Sequence, residues 1–329
     1  MTNPGPPGLL STDVDLAADR LARGGVVAVP TETVYGLAAD ADQPGAVELV
    51  YELKDRPRHH PLIVHLSDPA AMAEWAVPDE RAESAARCWP GPLTVLLPRT
   101  SRTPDIVTGG RPTVGLRVPQ HALTLELIDR LGDRTGRAPA GLAAPSANRF
   151  GRVSPTRADH VLTDIGDRLR PGRDLVLDGG PSSVGLESSI LDLSVRPAQL
   201  LRAGALSADE LAEVIGDDVA AASGPSRASG MLASHYAPRC PVVLVGDAGD
   251  VPAAISANGL ADDDVAILDA SGDLAAAARS LYDDLRAADL RGAVLVLAVL
   301  PQGDDALAVA IRDRLTKAAA ERSGPSRAR

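Results

Sequence analysis

The sequence predicts an α/β protein: a twisted, mixed sheet with helices packed on it, followed by a second, smaller parallel α/β domain. Three observations carry this expectation. Short apolar runs that read as strands recur along the chain between stretches of helical periodicity. The first two hundred residues hold more such runs than one tidy strand–helix–strand series can use, so a mixed sheet is expected. Beyond about residue 240 the pattern becomes a regular strand–helix alternation, the signature of a parallel layer. At 329 residues the chain has room for two domains.

In chain order, Asp13–Gly24 predicts a helix carrying Val14, Leu16, Ala17, Leu21 and Ala22, stopped by Gly24 and Gly25. Val26–Val29 reads as a strand. Gly45–Asp55 reads as a helix with Val47, Val50 and Tyr51 on one side. Leu62–Leu66, Leu93–Leu97, Val114–Val118, Leu142–Ala144, Leu175–Leu177 and Ser189–Leu193 read as strands. Ala220–Pro238 is rich in Ser, Gly, Ala and Pro and lacks apolar periodicity, so it reads as an extended connector. Val242–Val245, Val265–Leu268 and Ala293–Leu300 then read as strands. A stretch from about Ala253, Leu274–Leu290 and Ala306–Glu321 read as the helices between and after them. The hexamer Ser223–Ala228 recurs at Ser323–Ala328 as low-complexity material. The expected division is a first domain over 1–205, a linker over 206–240, a small α/β domain over 241–322 and a flexible tail over 323–329.

Composition excludes several classes. The net charge is −11, but residues 101–157 carry a surplus of five positive charges. Such a patch in an acidic chain suits a small anionic ligand better than a long polyanion, and it equally suits a solvated arginine-rich face. Aromatic residues make up 2 %, too few for a stacking platform along single-stranded nucleic acid. Cys88 and Cys240 cannot build a zinc ribbon or a disulfide scaffold, which points to a reducing cytoplasm. No signal peptide is apparent, and the longest apolar run, Ala293–Leu300, is too short to span a bilayer. Neither Lys54 nor Lys317 sits in a phosphate-loop motif, and no G-x-S-x-G, H-E-x-x-H or G-x-G-x-x-G is present.

The chemistry-bearing residues gather where strands end. Val26–Val29 runs into Pro30-Thr31-Glu32-Thr33, and Leu142–Ala144 into Pro145-Ser146-Ala147-Asn148. Val114–Val118 carries Arg117 and ends at Pro119, and Gly185–Ser189 brings Glu187 and two hydroxyls to a strand entrance. Proline breaks each ladder, and small polar groups are left at the rim of the sheet, where open α/β sheets bind ligands. Hydroxyls, an amide and an arginine suit a carboxylate or a phosphate, and a Ser-x-Asn after proline equally suits a turn or a helix cap. In Lys54–His60, KDRPRHH, an extended chain would point Lys54 and Arg56 the same way, toward a polyphosphate. A basic helix C-cap is the competing reading. His65, within an apolar strand, also reads as a core histidine, and His121 as the cap of a following helix.

Taken in order, PTETVYGLAAD (30–40), KDRPRHHPLIVHL (54–66), WPGPLTVLL (89–97), VGLRVPQH (114–121), AAPSANRFGRVSPT (143–156), GLESSILDL (185–193), LLRAG (200–204) and GMLASHYAP (230–238) resemble the YrdC/Sua family of threonylcarbamoyl-AMP synthases. The resemblance covers nearly the whole chain. It implies a YrdC-like catalytic domain followed by a Rossmann-like domain, the long, two-domain form. It also implies synthesis of L-threonylcarbamoyladenylate from L-threonine, bicarbonate or CO2, and ATP, with Mg²⁺ entering alongside ATP and no metal held by the protein. The product would feed a transferase complex that modifies tRNA to N6-threonylcarbamoyladenosine, with weak tRNA binding by this chain. Carried over residue by residue, Thr33, His65, Arg117, Ala144 and Ser188 would contact threonine. Lys54, Arg56, His60, Thr113, Ser146, Asn148, Ser154, Arg202 and Tyr236 would hold ATP, with Lys54 and Arg56 stabilising the reacting phosphates and Tyr236 closing as a lid. Two departures stand out: His60 replaces the family's usual Asn, and Leu232-Ala233-Ser234 is less basic than the family's linker. An RNA-binding or ribosome-maturation module using the same basic surface is the alternative function.

Overall fold

The computed structural model describes residues 8–225, 227–228 and 235–320. The chain forms two compact units: Met1–Phe150 with Ser154–Ser183 and Glu187–Met231, and Gly151–Val153 with Val184–Leu186 and Leu232–Arg329. The recurrent hexamer at 323–328, the tail and Leu232–Ser234 lie outside the described residues.

The first unit runs β1 (Leu10–Ser11), α1 (Val14–Ala22), β2 (Val27–Val29), β3 (Gly36–Asp40), α2 (Pro44–Lys54), β4 (Ile63–His65), α3 (Met72–Trp75), α4 (Glu80–Ala85), β5 (Leu93–Pro98), α5 (Asp105–Thr108), β6 (Thr113–Arg117), α6 (Ala122–Thr135), β7 (Leu142–Ala143), α7 (Ala158–Ile165), β8 (Leu175–Leu177), β9 (Ser189–Asp192), β10 (Ala198–Arg202), α8 (Ala208–Ile215) and β11 (Val219–Ala221). Its strands form one mixed sheet in the order β1-β8-β2-β3-β7-β4-β6-β5-β9-β10-β11. The mixed sheet and the strands expected in this unit are present. Local rules explain the first helix: Asp13 accepts the amide of Leu16, and Gly24, at φ +81°, follows its last turn.

Strand alternation sorts the side chains into two faces. On one face Ala28, Leu37, Ala39, Ala143, Val64, Leu116, Val95 and Leu191 join a continuous core with α2, α4, α7 and α8. On the other, Val27, Val29, Ala38, Leu142, Leu175 and Leu177 pack against Leu21 of α1 and Leu127, Ile128 and Leu131 of α6. That second cover spans β8-β2-β3-β7. It stops short of β4, β6, β5 and β9, whose outward positions are Ile63, His65, Thr113, Gly115, Arg117, Thr94, Leu96 and Ile190. The register sets His65 beside Arg117, and Gly115 between Ile63 and Leu96. There Leu96 and Ile190 pack with Leu201 and Ala228 instead of with α1 and α6, and the site is built on this half.

Several elements lacked a local signal. The strand Gly36–Asp40 holds no β-branched residue, and it is held as a strand by β2 and β7. Residues 206–240, expected to be a connector, contain α8, closed by a Ser207–Glu210 capping box, and β11, which extends the sheet from β10. His121 is the N-cap of α6 but its side chain makes no capping bond, contrary to its expected role.

The second unit runs β12 (Val242–Val245), α9 (Val251–Ala257), β13 (Val265–Asp269), α10 (Leu274–Leu290), β14 (Leu295–Val299) and α11 (Ala306–Ala319). Its strands are parallel in the order β12-β14-β13. Val245, Val251, Val265, Leu295, Leu297 and Val299 form a core within it. The regular alternation in the sequence translates directly into this layer.

Candidate active site

The loop after β2 folds on its own hydroxyls. Thr31 Oγ1 donates to the Val34 carbonyl at 2.6 Å, accepts the amides of Thr33 and Val34, and meets Thr33 Oγ1 at 2.8 Å. This compact turn presents Glu32 and Thr33 to Arg117 at the end of β6. The guanidinium donates through Nε to the Gly91 carbonyl (3.1 Å) and through Nη1 to Thr33 Oγ1 (2.8 Å), and its Nη2 lies 2.7 Å from Glu32. Arg117, Thr33 and Glu32 are all buried. The arginine is thus fixed in plane before any ligand arrives, the preorganisation that bidentate carboxylate recognition needs.

His65 lies beside Arg117 across the β4–β6 ladder. Its burial and the neighbouring guanidinium push its pKa down to about 3, so it is neutral at physiological pH. A neutral imidazole suits hydrogen bonding to a hydroxyl more than binding an anion. Ala144 donates its N–H to the Ile63 carbonyl at 2.9 Å and packs its methyl into the core with α1 and α6.

A second cluster forms at the entrance of β9. Ser188 Oγ meets Thr94 Oγ1 at 2.7 Å, and Arg202 reaches Ser188 twice, through Nε to its carbonyl (2.9 Å) and Nη2 to its hydroxyl (3.0 Å). Gly204 makes this approach feasible: a Cβ there would sit 2.3 Å from the Ser189 nitrogen. Ser154 Oγ donates to Glu187 at 2.6 Å. Thr113 shares the outward face of β6 with Gly115 and Arg117.

The third group surrounds the end of α2. Asp55, at φ 54°, ends the helix in a left-handed turn, so Lys54 and Arg56 do not lie on an extended strand; the helix C-cap reading holds. Lys54 is fully enclosed and its ammonium donates to the carbonyls of Ser146, at 2.6 Å, and Asn148. Burial holds its pKa well below the ordinary lysine range, with the charge of Arg56 adding to the effect. Lys54 therefore shapes the Ser146–Asn148 turn. Arg56 donates to the carbonyls of His60 (3.3 Å) and Pro61 (2.9 Å) and lies over the Phe150 ring. His60 tilts against the same ring, and partial burial with Arg56 lowers its pKa to about 4. Tyr236 falls in the second unit. There its ring stacks on Tyr282 at 5.7 Å, with the Arg314 guanidinium 5.2 Å from its centroid.

The structure thus gathers Thr33, His65 and Arg117 into one cluster, Ser188 and Arg202 into another, and Lys54, Ser146 and Asn148 into a third. Sequence reasoning missed Glu32 and Thr94 as partners. Glu32 was visible inside PTET, but only the fold shows its carboxylate turned to Arg117. Among the described residues no group of three or more His, Cys, Asp and Glu side chains could hold a metal ion.

Comparison with known proteins identifies the family. Residues 19–204 match the family model Sua5_yciO_yrdC, described as "Telomere recombination", and residues 206–320 match that of the threonylcarbamoyl-AMP synthase C-terminal domain. The threonylcarbamoyl-AMP synthase of Pyrococcus abyssi is 40 % identical over 240 residues, covering 70 % of this chain and 67 % of its own length. The Bacillus subtilis enzyme of that name is 38 % identical over 236 residues, covering 69 % and 65 %. The matched stretch thus spans about two thirds of these relatives. The crystal structure of P. abyssi Sua5 complexed with L-threonine superposes with a TM-score of 0.82 at 34 % identity, over 93 % of this chain and 94 % of that one. With both domains matched in order and the strand-end clusters in place, the chain belongs to the Sua5/YrdC family of threonylcarbamoyl-AMP synthases, in its two-domain form.

Proposed function

We propose that this chain condenses L-threonine, CO2 or bicarbonate, and ATP into L-threonylcarbamoyladenylate, releasing pyrophosphate, in the cytoplasm. The observation that carries the reading is the preorganised Arg117 fork beside the Thr33 hydroxyl and the neutral His65, on the half of the sheet that α1 and α6 leave uncovered. Arg117 takes the threonine carboxylate, and Thr33, His65 and Ser188 supply polar contacts to the rest of the amino acid, with Ala144 lining the pocket through its backbone. Ser146, Asn148, Ser154, Thr113, Arg56 and Arg202 receive ATP, with Lys54 holding the Ser146–Asn148 turn in shape.

The chemistry is positioning and charge stabilisation. The threonine amine joins CO2 to give a carbamate, whose oxygen attacks the α-phosphorus of ATP as pyrophosphate leaves. Negative charge gathers on phosphoryl oxygens, where fixed cations act most strongly in a water-poor site. Mg²⁺ supplies further charge neutralisation on the triphosphate. The product then passes to a transferase that modifies tRNA. The relatives named threonylcarbamoyl-AMP synthase and the acidic charge of the chain favour this over an RNA-binding module.

The test is pyrophosphate release from ATP with and without L-threonine and bicarbonate. Release that needs both supports the reading. Salt-sensitive RNA binding with no threonine-dependent release would overturn it.

A further inference from the structure

Among the buried charges that the mechanism above does not use, Glu32 lies against the proposed threonine pocket. Glu32 is 3 % exposed. Its carboxylate lies 2.7 Å from Arg117 Nη2, and neither oxygen makes a hydrogen bond among the described residues. Arg117 is held independently by Gly91 and Thr33. A buried carboxylate stripped of its cation is strongly disfavoured. An α-amino acid carries its carboxylate and its ammonium on one carbon. When the carboxylate takes the guanidinium edge now turned to Glu32, the ammonium beside it is placed to restore the lost counter-charge. The Glu32–Arg117 pair has the polarity opposite to that of the substrate zwitterion, so insertion of the zwitterion leaves every charge compensated.

We propose that Glu32 is a catalytic residue that binds the α-ammonium of threonine and accepts its proton. This rests on the proposed function. The Glu32 carboxylate takes one proton from the ammonium, giving a carboxylic acid and a neutral amine. The nitrogen lone pair then forms the N–C bond to CO2, and one C=O electron pair moves onto oxygen. The adduct loses a second N–H proton to water to leave the carbamate, and Glu32 returns its own proton to solvent. The groups facing Glu32 are Arg117 from β6, His65 beside it on β4, and His121 at the head of α6. Burial keeps both histidines neutral at physiological pH, so Arg117 is the facing cation.

The experiment compares full-length wild type, Glu32→Gln and Glu32→Asp. It measures threonine-dependent pyrophosphate release from about pH 6 to about pH 9.5, and calorimetric binding of L-threonine and of 3-hydroxybutanoate, which lacks the ammonium. Glu32→Gln is expected to lose about 10²-fold or more in kcat at neutral pH and to regain about tenfold per pH unit as free amine accumulates. It is also expected to lose the wild-type preference for threonine over 3-hydroxybutanoate. A wild-type rate and pH profile in Glu32→Gln overturns the proposal. So does an equal rate loss at every pH with the ligand preference intact, which marks a residue that only orients Arg117. If wild type itself shows no threonine-dependent release, the proposed function fails, and the binding arm still decides whether Glu32 reads the ammonium. If Glu32→Gln does not bind ATP and so is not folded, Glu32→Asp carries the test: a partial rate loss with the wild-type pH slope supports the role, and an unchanged rate overturns it.

Discussion

The two halves of the large sheet share one core face and differ on the other. Over β8-β2-β3-β7 the second face is covered by α1 and α6 through Leu21, Leu127, Ile128 and Leu131. Over β4-β6-β5-β9 the corresponding positions include His65, Arg117, Thr94 and Gly115, beside Ser188 at the strand entrance, while Leu96 and Ile190 pack on Leu201 and Ala228. Thr94 bonds Ser188 there, and Arg117 bonds Thr33 and pairs with Glu32. The same pleat thus serves stability on one side and chemistry on the other. What separates them is where the covering helices stop. A residue's worth should follow the half it occupies.

The comparison is tested most severely at Arg117. Arg117→Ala should lower kcat/KM for threonine by about 10³-fold and destabilise the fold by about 3 kcal/mol, because Glu32 is left buried without its cation. Steady-state kinetics with a denaturant melt would show both. A variant with unchanged threonine kinetics would deny the β4-β6-β5-β9 half its role. Leu131→Ala, on the covered half, should cost about 2–5 kcal/mol of stability through lost burial and a cavity, while KM for both substrates stays at its wild-type value. Lys54→Ala should lower turnover by about 10²-fold, because the turn bearing Ser146 and Asn148 loses the ammonium that holds its carbonyls. An intact turnover number would remove Lys54 from the machinery.

The smallest effect, over the mildly acidic range, concerns pH. His65 titrates near 6.5 when unfolded and at about 3 in the native protein. Between those values the unfolded chain binds the extra proton, so stability falls as pH drops from 6.5 toward 3. His65→Gln should flatten that fall by up to about 1.4 kcal/mol per pH unit. Urea melts at neutral and mildly acidic pH would measure it, and an unchanged slope would mean that His65 is not buried in its neutral form.

Much of this was legible along the chain because it is local. Single strands such as Leu175–Leu177 and the helix Leu274–Leu290 follow from apolar runs, apolar period and flanking turn residues. The regular α/β layer of the second unit needed nothing more. Gly36–Asp40 was silent, since its small residues become a strand only when β2 and β7 pair with it. The motifs named the chemistry-bearing residues but not their partners. KDRPRHH offered two geometries, and the left-handed turn at Asp55 selected the helix cap.

By itself the sequence determined the fold class, the family motifs and the set of polar residues at strand ends, because period, proline breaks and turn chemistry act over a few residues. Only the tertiary structure decided that Glu32 faces Arg117, that Lys54 serves carbonyls of a distant turn, and which half of the sheet α1 and α6 cover. Those outcomes depend on strand order and on where α1 and α6 end, and burial turns such juxtapositions into charge pairs and shifted pKa values that no local window contains.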